Sequence, residues 1–237
     1  MNVAVITFPG SNCDQDCFRS VELAGGSPRY VWHREQSLGD ADAVIVPGGF
    51  AHGDYLRPGA IARFSPIMGA VIAFARDGGL VVGICNGFQV LCEAGLLPGA
   101  LLRNESMRFQ SHDCALRVER SGTPFTRDYR KGRVIRMPLS HADGNYYADP
   151  ETLAALEATG RVVFRYSDAR GTVSAEANPN GSLNHIAGIV NADGNVLGMM
   201  PHPDRAIEEA LGSVDGLPLF TSLVGSGAGT AAHTEVA

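Results

Sequence analysis

Cys85 is the residue best placed to do chemistry. It ends the apolar run Leu80-Val81-Val82-Gly83-Ile84 and is bracketed by Gly83 and Gly87. The run reads as a buried strand, and Asn86 to Glu93 as the opening of a helix. The cysteine therefore falls on a sharp strand-to-helix turn, where the two glycines leave room for a tight backbone. That is a nucleophile elbow with Cys in the place of Ser. Such a turn lifts the sulfur clear of the sheet and aims it at the first N–H groups of the helix, which favour a thiolate. A small core cysteine beside an ordinary strand-to-helix loop fits the same residues.

A thiol nucleophile needs a base, a group to orient that base, and donors for the oxyanion formed when a carbonyl is attacked. Of seven histidines, His202 follows an apolar run and is boxed between Pro201 and Pro203, which restrict its backbone. Asp204, two residues on, is the acid that would orient the ring and balance its charge. A structural histidine held between prolines is the plainer alternative. Gly48 and Gly49, which end another apolar run, offer a backbone N–H to an oxyanion together with the N–H of Asn86; a simple turn is again the alternative.

Other chemically capable residues fit the pattern less well. Cys13 and Cys17 lie one helical turn apart, but no second Cys/His pair has zinc spacing, so no metal site is expected and both read as helix residues near the core. Cys92 reads as core packing. His52 with Asp54, and His141 with Asp143, read as polar loop residues that shape a pocket or a partner surface. Gly48-Gly49 lacks both the dinucleotide-loop spacing and the Lys-Ser/Thr of a P-loop, so the chain itself has little claim to nucleotide binding.

The elements that must position these residues alternate at first. Strands are expected at Val3–Phe8, Tyr30–His33 and Ala43–Val46, and helices at Cys13–Ala24, capped by Asn12, and at Ala60–Arg76. Near-continuous apolar runs alternating with helices argue for a parallel sheet covered on both faces. Beyond Leu97 shorter strands are expected at 101–103, 114–118, 133–136 and 162–166, with a polar loop over 140–147 and a short helix over 150–159. Ile186–Val190 and Val196–Met200 flank Asp193-Gly194 as a β-hairpin. Pro218–Val224 reads as a closing helix, and 225–237 as a disordered tail on composition.

A length of 237 residues suits one sizeable α/β domain. No apolar run is long enough to cross a bilayer, and Met1 to Ile6 reads as a first strand rather than a signal peptide, which points to a cytoplasmic protein without membrane partners. Five cysteines without paired short spacings read as reduced thiols. A net charge of −6 is the wrong sign for gaining affinity from nucleic-acid phosphates.

With Pro47-Gly48-Gly49-Phe50, Gly83-Ile84-Cys85-Asn86-Gly87-Phe88-Gln89 and Pro201-His202-Pro203 in this order and spacing, the sequence resembles the class I, triad-type glutamine amidotransferases. Phe8 to Asp14, the loop Gly48 to Ala60, Asn86-Gly87-Phe88-Gln89 and His141 to Tyr147 are similar, more narrowly, to the glutaminase subunits of phosphoribosylformylglycinamidine synthase, an enzyme of purine biosynthesis. The resemblance covers nearly the whole chain, up to Val224. It implies a flavodoxin-like, mostly parallel sheet flanked by helices, with extra antiparallel strands and a hairpin in the C-terminal half.

By that resemblance, Cys85 attacks the side-chain amide of glutamine and forms a glutamyl thioester. His202 protonates the departing ammonia and then activates water, and Asp204 is the third triad member where the family usually has Glu. Gly49 and Asn86 match the oxyanion donors, and Gly48, Gln89, His141, Gly144 and Tyr146 fall on the glutamine-binding side. The resemblance assigns no metal and no cofactor to this chain. ATP and magnesium belong to a large synthetase subunit, with a small bridging subunit as the second partner and residues 51–58 as the surface the synthetase reads. The rival expectations are a peptidase or deglycase built on a similar elbow, and a non-catalytic binding module that kept the fold.

Overall fold

The computed structural model describes residues 1–226. Its first half alternates strand and helix: β1 (Asn2–Thr7), α1 (Asp14–Leu23), β2 (Ser27–Trp32), β3 (Ala43–Val46), α2 (Pro66–Arg76), β4 (Leu80–Ile84) and α3 (Asn86–Glu93). The second half is richer in strands: β5 (Ala100–Leu102), β6 (Gln110–Val118), β7 (Val134–His141), β8 (Asn145–Tyr147), α4 (Pro150–Ala158), β9 (Val162–Ser167), β10 (Ile186–Val190), β11 (Val196–Met199) and α5 (Leu217–Ser226). Among the described residues one sheet has nine strands in the order β2-β1-β3-β4-β11-β10-β9-β6-β7, and β5 pairs with β8 in a second, small sheet. The strands from β2 to β11 pair in parallel, and those from β10 to β7 continue antiparallel.

Residue burial follows from this arrangement. Val3 to Ile6 and Ala43 to Val46 are wholly buried, as central parallel strands covered on both faces must be. β7 buries alternate residues, Ile135, Met137, Leu139 and His141, as an edge strand does. No helix among the described residues is long and apolar enough to cross a membrane.

Several expectations need correction. The helix over 60–76 is divided, with Ala62–Phe64 as one 3-10 turn and α2 starting afresh at Pro66. Proline holds Ser65 in an extended conformation (ψ 141°) and, lacking an N–H, suits only a first helical turn. Residues 140–147 are not a loop: β7 runs through His141, and Asn145–Tyr147 pairs with β5. Pro138 conceals the strand, yet it is tolerated because β7 is an edge. Asn12 does not cap α1, whose N-cap is Cys13 without a side-chain hydrogen bond. The hairpin β10–β11 forms as expected. α5 continues through Gly225 and Ser226, and the rest of the expected tail, 227–237, lies outside the described residues.

Parallel strands all end on the same side, so the segments after β1, β3, β4 and β11 converge. These carry Cys13, Gly48-Gly49, Cys85 and His202. α3 packs on β3, β4 and β11. It comes so close that a Cβ at Gly87 would overlap the Val46 carbonyl oxygen. Gly87→Ala is therefore expected to cost at least about 1–3 kcal/mol, the range for overpacking against groups that cannot yield. Urea unfolding of the variant measures this, and a wild-type midpoint would mean that α3 has slack against β3.

Candidate active site

β4 ends at Ile84 and α3 begins at Asn86, which leaves Cys85 alone at the turn with φ 51° and ψ −106°. A side-chain-bearing residue enters that region only when its surroundings force it there. The forcing contacts are visible: the Cys85 N–H donates to the Met199 carbonyl (2.8 Å), and its own carbonyl accepts from Gln89 N–H (3.2 Å). The thiol is buried, with Sγ 3.5 Å from the Ser140 carbonyl oxygen. It faces a cavity of about 50 Å³ lined by Asn12, Cys13, Gly49, Phe50, Ser140, His202 and Arg205.

His202 and Asp204 are each 1% exposed. His202 follows β11, and the single 3-10 turn Pro203–Arg205 folds the acid back toward the ring. Nδ1 lies 3.2 Å from Asp204 Oδ1 and 3.5 Å from Oδ2, while Nε2 is buried and without a hydrogen-bond partner. The carboxylate thus fixes the ring and leaves Nε2 as the atom free to exchange a proton. Burial opposes charge on the imidazole, but the Asp204 carboxylate, Cys85 and hydrogen bonding from Asp204 and Cys13 outweigh it, and the pKa stands well above the ordinary histidine value.

Gly49 adopts φ 142°, and a Cβ there would lie 2.8 Å from Asn12 N and 2.9 Å from the Gly10 carbonyl oxygen. Only glycine lets the loop after β1 close this side of the cavity. The structure thus brings together Cys85, His202, Asp204, Gly49 and Asn86, all five expected from sequence. Gln89 is also close, one helical turn along α3, with Nε2 donating to the Asp143 carbonyl (2.6 Å).

The other four candidates are not among the residues that line the cavity. Gly48 lies behind the histidine, where a Cβ would sit 2.7 Å from His202 Cε1 and 3.1 Å from Cys13 Sγ. Tyr146 is wholly buried, stacked on Phe88 and donating its hydroxyl to the Pro98 carbonyl (2.9 Å). His141 is buried against Asn104 Oδ1 (3.1 Å), and its pKa is lowered to about 4 by burial and by His202. Gly144 offers its N–H to Asn104 Oδ1 (3.0 Å) and its carbonyl to Asn180 (2.8 Å). These residues brace the wall of the site rather than line the cavity.

Sequence reasoning missed Ser140, Cys13 and Arg205. Cys13 Sγ accepts from Arg205 (3.1 Å) and donates to Asn12 Oδ1 (3.2 Å), and Arg205 also pairs with Asp16 (3.2 Å). The available signal was topological: the loop after β1 must end beside the loops after β3 and β4.

Residues 1–215 match the CobB/CobQ-like glutamine amidotransferase domain. The chain belongs to that family. Among curated relatives, phosphoribosylformylglycinamidine synthase subunit PurQ of Salinibacter ruber is 60% identical, over 93% of this chain and 94% of that protein. The subunit PurQ of Thermus thermophilus is 56% identical, over 94% of this chain and 98% of that one. A chain in the structure of PurLQS from Thermotoga maritima superposes with a TM-score of 0.85 at 42% identity, covering 95% of this chain and 98% of that one. The glutaminase domain of Trypanosoma brucei CTPS, solved with bound acivicin, shares the fold at a TM-score of 0.61 and 12% identity, over 97% of this chain and 94% of that one.

A histidine pKa raised on folding contributes stability that is fully present below the unfolded value, about 6.5, and is lost as pH rises through the folded value. Asp204→Asn should bring the His202 titration, followed by NMR, to lower pH and abolish that pH-dependent advantage; an unmoved titration would mean that Asp204 does not hold the charge. Burial also pushes the thiols of Cys13, Cys17, Cys92 and Cys114 upward, Cys114 to about 12. A glutamine-like diazo-ketone at neutral pH should label Cys85 alone, and mass spectrometry finding Cys13 labelled first would contradict it.

Proposed function

We infer that this chain is the glutaminase subunit of phosphoribosylformylglycinamidine synthase, in de novo purine biosynthesis. The observation that carries this reading is Cys85 on a strained elbow in one cavity with the buried His202–Asp204 pair, in a chain that matches subunits PurQ along almost their whole length.

With its proton already held by His202, whose imidazole favours the charged form, Cys85 Sγ attacks the side-chain amide carbon of glutamine. The oxygen of the tetrahedral intermediate takes its charge against the N–H groups of Gly49 and Asn86, which are preorganised and need not turn to meet it. Protonated His202 gives its proton to the amide nitrogen, the carbon–nitrogen bond breaks, and ammonia leaves a glutamyl thioester on Cys85. A water then loses its proton to His202 and attacks the thioester carbon, the carbon–sulfur bond breaks, and glutamate departs, leaving the Cys85 sulfur facing protonated His202 again. Through both halves Asp204 holds the ring and stabilises its charged form. A cavity of about 50 Å³ receives the reacting end of the substrate.

Ammonia passes to the large synthetase subunit, which uses ATP and magnesium to convert formylglycinamide ribonucleotide to formylglycinamidine ribonucleotide; a small bridging subunit completes the assembly. This chain needs no cofactor of its own for the steps above. Residues 51–58 are the surface offered to the synthetase, a reading supported by Tyr55 and Leu56, which are 70% and 81% exposed in the segment that follows the oxyanion glycine. The cytoplasm is where its five free thiols would stay reduced.

In the complex assembled with the synthetase and bridging subunits, Cys85→Ala should abolish glutamine-dependent product formation and leave ammonia-dependent formation intact. Retained use of glutamine would refute the mechanism, and loss of both activities would point to a failure of assembly.

A further inference from the structure

A second set of side chains meets at Asn86, the residue after the nucleophile. The carboxamide of Asn86, 2% exposed, is fully engaged. Its Oδ1 accepts from the Ala51 N–H (3.0 Å), and its Nδ2 donates to Asp54 Oδ1 (3.2 Å) and to Gln89 Oε1 (2.9 Å). An amide nitrogen has two protons, so Asp54 and Gln89 use both. Gln89 continues to the Asp143 carbonyl, and the Asp143 carboxylate meets Arg103 at 3.3 Å.

Asp54 reaches Asn86 at a cost. His52, Asp54 and Leu56 all lie at positive φ (56°, 52° and 70°), a conformation that costs a non-glycine residue of order 1–3 kcal/mol. Three such residues in five persist only where surrounding contacts over-determine them, and Asp54 supplies one of those contacts. Its target, Asn86, is the residue that carries the oxyanion N–H, and the same segment begins beside Gly49, the other donor.

We propose that Asp54 is a positioning residue: by holding the Asn86 carboxamide it fixes the angle at which the Asn86 N–H meets the oxyanion. This rests on the glutaminase reading above and adds to it a residue that touches neither substrate nor nucleophile. Asp143, itself held by Arg103, is the charged group that faces Asp54, and α3 presents Asn86 to it. Burial and then the Asp143 carboxylate push Asp54 up to about 6, against the hydrogen bond from Asn86, which lowers it. Ionised Asp54 is the better acceptor for Nδ2, so the clamp weakens as pH falls through that value.

The test is steady-state glutamine hydrolysis by the assembled complex, with Cys85 alkylation by iodoacetamide measured in parallel because alkylation forms no oxyanion. Asp54→Ala should lower kcat by roughly tenfold to a hundredfold, less than the 10²–10³ expected when an oxyanion donor is removed outright, with KM for glutamine and the alkylation rate near wild type. Asp54→Asn keeps an uncharged acceptor in place, so it should recover most of that loss and lack the acid limb near 6 expected of the wild type. A wild-type kcat in Asp54→Ala, parallel loss of kcat and alkylation, or an acid limb retained in Asp54→Asn would overturn the proposal alone. A wild-type complex that releases no glutamate would overturn the glutaminase reading and this proposal with it.

Discussion

The site depends on the close approach of α3 to the sheet beneath it. Gly87 lies against the Val46 carbonyl, Gly83 against the backbone of Gly87, and Gly198 against the ring of Phe88, so three glycines on one helix and two strands remove the volume that would hold the helix off. With α3 at that depth, the chain has no extended route from Ile84 to Asn86, and Cys85 is forced to φ 51°. Strain of this kind costs of order 1–3 kcal/mol and is sustained by the packing around it. In return the sulfur stands at the carboxyl edge of the sheet, with the first N–H groups of a helix beside it, and no mobile loop is needed to place it there.

Around that fixed sulfur, charge is distributed unequally. The cavity is lined by two thiols, yet their surroundings separate them. Both face the His202 imidazole, but Cys13 is pushed up by burial and occupied by Arg205 and Asn12, whereas Cys85 stands on the elbow at the start of α3. The buried His202–Asp204 pair carries a desolvation cost that a pair of apolar residues would avoid. Its retention at 1% exposure marks it as a site feature rather than a source of stability.

Sequence pattern exposed the parts whose physics is local. The all-apolar runs of β3 and β4, the Asp193-Gly194 turn and the elbow bracketed by Gly83 and Gly87 were readable because each is dictated by neighbours a few residues away. The Cys85, His202 and Asp204 side chains could be named for the same reason, since glycine and proline mark unusual backbone where it occurs. What stayed hidden depended on distant partners. Pro138 masked β7 because a proline is tolerated only on an edge, and strand order is a property of the whole sheet. Tyr146 and His141 carry groups suited to substrate, yet Phe88, Pro98 and Asn104 claim them, and nothing in the local sequence announces those pairings. Cys13 looked like a core residue of α1 and instead faces the cavity, because the loop after β1 folds over Gly49.

Asp204 shows how such global terms can absorb a local substitution. The resemblance puts Glu here, one methylene longer, and a shorter acid in the same backbone would fall away from the ring. The 3-10 turn at Pro203–Arg205 brings Asp204 back, with the Arg205 N–H donating to the His202 carbonyl at 3.3 Å and the His202 N–H to the Pro138 carbonyl at 2.8 Å. Both carboxylate oxygens then approach Nδ1, at 3.2 and 3.5 Å, longer than the usual 2.7–2.9 Å of a charge-assisted hydrogen bond. The acid therefore acts more through its charge at close range in a dry site than through one short directional bond. Charge falls off slowly with distance where water is excluded, whereas hydrogen-bond strength falls steeply with misalignment. A role carried by charge tolerates the loss of a methylene; the geometry of the sulfur, fixed by three glycines, has no comparable latitude.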